Sequence, residues 1–380
     1  MKSILEKDLW SITSFLENKN YKFNKENILT QLPEKFIDEA IEAISSWDDY
    51  APTPLIELKK LNDELKFKNI YYKDEDKRFD LKSFKALGGA FAVYKIASEK
   101  KNITVSTATA GNHGRSVAWG AQRLGIKCKI FISEFVSESR AEAMRKLDAD
   151  VIRVKGNYDN SLKECIKQSK ENNWEIVQDV SWEGYKEVPK LIMAGYTIMV
   201  KEILDELKSN SITHVFLQAG VGGMAAAMIS GFAKLSKNIP KIIIVEPENA
   251  DCVFQSIKSN KPTSVDIKKE TIMGGMSCGD VSTIAWEILK NSTNYCLTIS
   301  DEAISTTVAL LAEERLSDEK IIAGECAVPG VIALIGSFNN KEYLDKLELN
   351  EQSNVLLFGC EGLTDNAMYQ KLLSDGLQKI

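Results

Sequence analysis

Histidine is nearly absent from this chain of 380 residues, which has only His113 and His214. A histidine-rich metal centre or a Ser-His-Asp triad has little to draw on. His214 opens an apolar strand and reads as structural. The seven cysteines (Cys128, Cys165, Cys252, Cys278, Cys296, Cys326, Cys360) are scattered, odd in number and never spaced C-x-x-C. That pattern argues against a zinc site or a disulfide framework and for free thiols in a reducing compartment. A cytoplasmic protein is therefore expected, and no metal-ligating residue is assigned. No apolar run reaches the roughly 18 to 20 residues of a membrane helix. The N-terminus, MKSILEKDLWSITSFLENKNYKF, has no uninterrupted apolar segment of the secretory kind. No block of Lys and Arg stands out and the net charge is −6, so neither nucleic acid nor membrane is an expected partner.

What remains is an ordinary globular composition, 44% hydrophobic and 27% charged, on a chain long enough for two or three domains. Strands are expected at 69–74, 103–109, 127–133, 150–155, 174–179, 214–219, 241–246, 295–299 and 354–359. Several are continuous apolar runs, as in strands buried on both faces. Helical patterns lie between them, at 114–124, 137–147, 189–208 and 224–236. Alternating strands and helices imply a doubly wound α/β architecture with parallel sheets. The first fifty residues read as a polar helical arm. Pro52-Thr53-Pro54-Leu55 is held extended by its prolines.

Lys85 stands out within Ser83-Phe84-Lys85-Ala86-Leu87-Gly88-Gly89 because its neighbours are small or apolar. Desolvation there favours a neutral amine, and a neutral lysine amine is a nucleophile toward carbonyls. The competing reading is a surface lysine that snorkels into solvent. Two loops open helices after apolar strands, where α/β sheets bind ligands. The first is Thr107-Ala108-Thr109-Ala110-Gly111-Asn112-His113-Gly114-Arg115, whose small residues let backbone N–H groups approach an anion. A plain turn capped by Asn112 accounts for it equally. The second is Gln218-Ala219-Gly220-Val221-Gly222-Gly223-Met224-Ala225, which suits a phosphate. It also fits a dinucleotide fingerprint, with Glu246 near the place of a ribose-binding acid. Tight helix packing with no ligand is a third account.

The ordered set of segments resembles the fold-type II pyridoxal-phosphate enzymes, the group of the tryptophan synthase β-subunit and threonine dehydratase. Within that group it resembles the diaminopropionate ammonia-lyase family. The residues that carry the resemblance begin with Arg78-Phe79, Phe84-Lys85-x-Leu87-Gly88-Gly89 and Gly111-Asn112-His113-Gly114-Arg115. They continue through VQDVSWEGY (177–185), Gly195-Tyr196, LQAGVGGMAA, IIIVEPENADC, TIMGGMSCG, AGE (323–325) and CEGLTD (360–365).

The resemblance implies two doubly wound α/β domains with the cofactor, pyridoxal 5'-phosphate, between them. It implies a helical arm at 1–50, a large cofactor-binding domain at 51–88 and 196–380, and a small substrate-side domain at 89–195. Lys85 matches the lysine that carries the cofactor and acts as base at Cα. Phe84 would pack near the ring, and Asn112 would bond the ring hydroxyl. Gly220, Val221, Gly222, Gly223 and Met224 match the phosphate loop, and Cys360 falls where the family has a hydroxyl residue near the pyridine nitrogen. Asp179 matches an acid near the substrate's amino groups. Thr109, Ala110, Gly111 and His113 complete the substrate set. The implied reaction is α,β-elimination on a small L-amino acid, 2,3-diaminopropionate first, giving pyruvate and ammonia. A homodimer is implied as well.

Two departures matter. The family's loop reads Asp-Gly-Asn-His-Gly, and its aspartate is the base for the D-isomer. Here that position is Ala110, which implies action on L-substrates alone. It also leaves open elimination or β-replacement on another β-substituted amino acid of the serine, threonine or cysteine kind. Cys360 replaces a hydroxyl with a weaker hydrogen-bonding thiol.

Overall fold

The structure, a computed structural model, describes residues 2–109, 111–208 and 211–380. The chain divides into two compact units. One takes in the segment up to Gln31, Pro52–Lys77 and Met199–Ile380, and the other Leu32–Ala51 and Arg78–Ile198. Among the described residues eleven strands are numbered along the chain. They are β1 (Ile12–Glu17), β2 (Leu55–Glu57), β3 (Asn69–Asp74), β4 (Thr104–Ala108), β5 (Lys127–Ser133) and β6 (Ala149–Val154). The rest are β7 (Glu175–Ile176), β8 (His214–Gln218), β9 (Lys241–Pro247), β10 (Tyr295–Ile299) and β11 (Asn354–Gly359).

In the first unit seven strands form one sheet in the order β1-β10-β9-β8-β11-β3-β2. The five central strands are parallel, and β1 and β2 close its edges antiparallel. β8 (HVFLQ) and β11 (NVLLFG) are buried at every residue, which is why their sequences are apolar without alternation. The helices Gly223–Leu235 and Pro329–Asn339 pack on β8. His214 is structural. Its Nε2 bonds the Leu347 carbonyl at 2.9 Å, and burial lowers its pKa to about 4.

In the second unit a parallel sheet runs β6-β5-β4-β7. The helix Lys85–Glu99 packs against the helices Asn112–Arg123 and Glu187–Tyr196. Glycines permit that approach. A Cβ on Gly88 would lie 2.5 Å from Tyr196 Cε1 and 2.6 Å from the Ile192 carbonyl oxygen. One on Gly195 would lie 2.8 Å from the Leu87 oxygen. Ser116 adds a polar tie: its Oγ donates to the Ala86 carbonyl at 3.2 Å and accepts from the Ala90 N–H at 3.1 Å.

All nine expected strands are present, but the stretch 174–179 pairs only at Glu175–Ile176. Pairing stops there because the Gln178 N–H is given to the Tyr185 hydroxyl at 2.8 Å. The expected helix 189–208 breaks at Thr197, whose Oγ1 donates back to the Ala194 carbonyl at 2.6 Å.

The N-terminal reading needs correction. The segment 12–17 (ITSFLE) is not an arm but the edge strand β1, paired antiparallel with β10. Residues 32–51 belong with the second unit, tied there by Trp47 against Trp119 (ring centroids 5.8 Å apart) and by Asp49 with Arg123 at 2.6 Å. Residues 78–88, expected in the large domain, also pack in the second unit, because the Lys85 helix is built into its helical layer.

Gly88→Ala and Gly195→Ala are each expected to cost about 1–3 kcal/mol by overpacking the two helices. Equilibrium urea denaturation reads this directly, and an unchanged midpoint would contradict it.

Candidate active site

Lys85 is the first residue of its helix, and Phe84 is the N-cap. A cation at a helix N-terminus opposes the helix dipole, so it needs a compensating charge. Asp179 supplies it: Lys85 Nζ donates to Asp179 Oδ2. The pair is largely shielded, with 26% of the Lys85 side chain and 13% of the Asp179 side chain exposed. The amine also lies 5.5 Å from the centroid of the Phe84 ring, which packs edge-on against Tyr196 at 4.7 Å. The apolar sequence neighbours suggested a neutral amine. The structure places a carboxylate on it, and that favours the ammonium.

The segment after β7 explains how Asp179 is held. Gln178 Oε1 accepts from the Thr107 hydroxyl (2.9 Å) and the Ala108 N–H (3.1 Å), and its Nε2 donates to the Ala108 carbonyl (3.0 Å). The Tyr185 hydroxyl donates to the Ile176 carbonyl at 2.8 Å, and its ring stacks on Trp182 at 4.2 Å. The QDVSWEGY run is thus a clamp that fixes the position after Gln178.

His113 completes this group. It is 5% exposed, its Nε2 bonds the Val177 carbonyl at 2.7 Å, and its Nδ1 lies 3.8 Å from Asp179 Oδ2. Burial lowers its pKa and favours the neutral imidazole; the Asp179 charge opposes this and the Lys85 charge acts with it. Burial would raise the Asp179 carboxyl, a charged His113 would oppose this, and the Lys85 ammonium with its hydrogen bond holds it well below the usual carboxylate range. Because the imidazole is neutral, the ammonium is the partner that matters.

The rest of the first loop stands beside them. Thr109 Oγ1 accepts from the N–H groups of Gly111 (3.0 Å) and Gly114 (3.2 Å). Gly111 is the helix N-cap and Asn112 the first helical residue, so Asn112 is not the cap. Ala110 lies outside the described residues.

The second loop belongs to the first unit, between β8 and the helix Gly223–Leu235. Gly222 has φ +87°, and a Cβ there would lie 2.7 Å from Leu289 Cδ1. A Cβ on Gly220 would lie 3.0 Å from Cys278 Sγ. The Ala226 N–H is bonded to the Gly222 carbonyl at 2.9 Å, and the N–H groups of the first turn before it have no carbonyl of their own helix. The glycines serve close packing at these two positions, and the N–H groups that open the helix Gly223–Leu235 suit a phosphate group. The dinucleotide alternative fails at Glu246. That carboxylate is fully buried and accepts from the N–H groups of Val253 (2.9 Å) and Phe254 (2.7 Å), so it caps the helix Cys252–Ser259 instead of meeting a ribose.

Cys360 follows β11 and is buried, and its thiol donates to the Cys326 carbonyl at 3.1 Å. Gln218 Nε2 donates to the same carbonyl at 2.9 Å, which links Cys360 to the end of β8 beside the glycine loop. The surroundings are acidic and the sequence reading missed them. Glu325, Cys326 and Glu361, all buried, have ligand atoms within 4.8 Å of one another. Asp74 ends β3 opposite Gly359, and burial raises its carboxyl to about 6. The motifs AGE and CEGLTD contained the signal, but spacing alone did not bring them together.

The comparisons with known proteins bear on the same residues. The family described as "Pyridoxal-phosphate dependent enzyme" matches residues 47–361. The diaminopropionate ammonia-lyase of Escherichia coli (strain K12) is 34% identical over 351 residues, 86% of this chain and 88% of that one. The crystal structure of Diaminopropionate ammonia lyase from Escherichia coli in complex with aminoacrylate-PLP azomethine reaction intermediate superposes with a TM-score of 0.89. It shares 31% identity and covers 97% of this chain and 99% of that chain. The processed form of threonine deaminase isoform 2 from Solanum lycopersicum, 21% identical with a TM-score of 0.78, covers 96% of this chain and 97% of its own and shares the fold.

Asp74 carries a pH signature. The folded state keeps its proton up to about 6, while the unfolded chain releases it near 3.8. The stability this proton confers is present at low pH and is lost as pH rises through that window. Asp74→Asn is therefore expected to gain thermal stability relative to the parent at about pH 8 compared with about pH 3. An equal difference at both pH values would contradict the assignment.

Proposed function

This chain belongs to the pyridoxal-phosphate dependent enzyme family and, within it, to the diaminopropionate ammonia-lyase family, and from that premise we propose that it eliminates ammonia from L-2,3-diaminopropionate to give pyruvate. The observation that carries the reading is the Lys85–Asp179 pair, a lysine at a helix N-terminus held against a carboxylate in the segment after β7. Pyridoxal phosphate, when bound, supplies the electron sink for the carbanion at Cα. Every other task falls to the chain. Lys85 would hold the cofactor's aldehyde carbon and, once released, would remove the Cα proton. Phe84 and Asn112 would hold the ring and its hydroxyl. The backbone of Gly220, Val221, Gly222, Gly223 and Met224 would hold the phosphate, and Cys360 would serve the pyridine nitrogen. Asp179 holds the substrate's ammonium by a charge-assisted hydrogen bond. Thr109, Gly111 and His113, with Ala110, form the substrate side.

On this reading the phosphate-loop residues belong to the first unit and the substrate residues to the second. No helix among the described residues is long and apolar enough to cross a membrane. The proposed setting is the cytoplasm and the proposed assembly a homodimer. Ala110 carries the stereochemical part, since a methyl group moves no proton and Lys85 is left as the base on the L-face.

A panel of L- and D-2,3-diaminopropionate, L-serine, L-threonine and β-chloroalanine, scored for ammonia and keto acid, tests this. L-diaminopropionate is expected to lead, with the D-isomer at least about 10²-fold slower for want of its base. Equal D and L rates would sink the stereochemical claim. Turnover of serine or β-chloroalanine without turnover of diaminopropionate would sink the substrate. Consumption of an added thiol or amine into a new amino acid would show β-replacement instead. Separately, Asp179→Asn is expected to lower kcat/KM for diaminopropionate by about 10²-fold, read by ammonia release, as a neutral amide cannot replace a charged acceptor.

A further inference from the structure

The group around Asp179 contains a contact that the ion pair does not explain. His113 Nε2 lies 2.7 Å from the Val177 carbonyl oxygen, so it must carry a proton. Burial lowers its pKa against the opposing pull of Asp179, which favours the neutral ring. Nδ1 is therefore a bare lone pair. It is buried, it has no hydrogen-bond partner among the described residues, and it faces Asp179 Oδ2 at 3.8 Å. Two acceptors face one another with no proton between them. A buried acceptor left so is costly.

We propose that His113 Nδ1 and Asp179 Oδ2 form a two-acceptor seat for the second ammonium group of a diamino acid, the group that leaves. The seat rests on the function proposed above and specifies how the substrate is chosen. An ammonium nitrogen placed about 2.9 Å from both atoms satisfies each with one N–H. A β-hydroxyl has one hydrogen and satisfies only one of them, so serine leaves the other acceptor buried and unpaired. The Lys85 ammonium already shows that Asp179 Oδ2 takes a primary alkylammonium, since it sits on that oxygen. While Nζ is bonded to the cofactor that oxygen would be open to the incoming ammonium, and Lys85, once displaced by the substrate's α-amine, would be the free base.

The chemistry is consistent. Both acceptors leave the nitrogen its three protons. The Cα proton goes to the Lys85 amine, the electron pair left at Cα forms the Cα=Cβ double bond, and the nitrogen takes the Cβ–N pair and departs as neutral ammonia. No further proton donor is required, and a neutral imidazole does not remove one.

The test compares diaminopropionate with β-chloroalanine, whose chloride leaves without a proton. In His113→Leu the ratio of kcat/KM for diaminopropionate to that for β-chloroalanine is expected to fall about 10- to 100-fold, the worth of a hydrogen bond to a charged group. His113→Asn, whose side-chain oxygen falls near the place of Nδ1, is expected to restore much of the ratio. An unchanged ratio in His113→Leu, as a bridging water would give, overturns the seat, and so does an Asn variant no better than Leu. If the parent enzyme turns over β-chloroalanine but not diaminopropionate, the proposed function fails first and the seat falls with it. An independent readout needs no turnover. With two histidines in the chain, imidazole ¹⁵N spectra of the holoenzyme must show His113 neutral with its proton on Nε2. A proton on Nδ1 overturns the proposal.

Discussion

The ion pair between Lys85 and Asp179 is the contact on which the site depends. It joins two segments separated by 94 residues. Lys85 stands at a helix N-terminus, where a cation is disfavoured. Asp179 is shielded from water, where a lone carboxylate is disfavoured. Each charge is tolerable because of the other. In the proposed function the cofactor would take up the amine, the carboxylate would lose its cation, and the substrate's ammonium would replace it. Cofactor attachment and substrate choice would then be coupled through a single oxygen.

That pairing is only as good as its framework. Gly88 and Gly195 let the Lys85 helix and the helix Glu187–Tyr196 touch through backbone, and Gln178 pins the chain beside Asp179 to the end of β4. The first unit is organised differently. Its glycine loop offers backbone rather than side chains, and the carboxylates nearby are committed to structure, as Glu246 is to the helix after it.

Much of this was legible in the sequence. β8, β9 and β11 were readable because strands buried on both faces are apolar throughout. The glycine loop and the Lys85 segment were readable because small residues in those places serve backbone approach. β1 was not, since ITSFLE alternates too weakly to separate from a polar helix, and its pairing with β10 is a long-range fact. The Asp179 contact of Lys85 was not readable for the same reason, as its neighbours in sequence are apolar while its neighbour in space is Asp179. Glu246 sat where a ribose-binding acid would, and only its two hydrogen bonds showed it to be a cap. The tautomer of His113 depends on the Val177 carbonyl, which no spacing rule supplies.

The most direct test of the account is the position of the covalent attachment. The holoenzyme would be reduced with borohydride, digested, and its peptides weighed. The account predicts a pyridoxyl group on Lys85 and on no other of the chain's lysines. A label on a different lysine, or none at all, would contradict it.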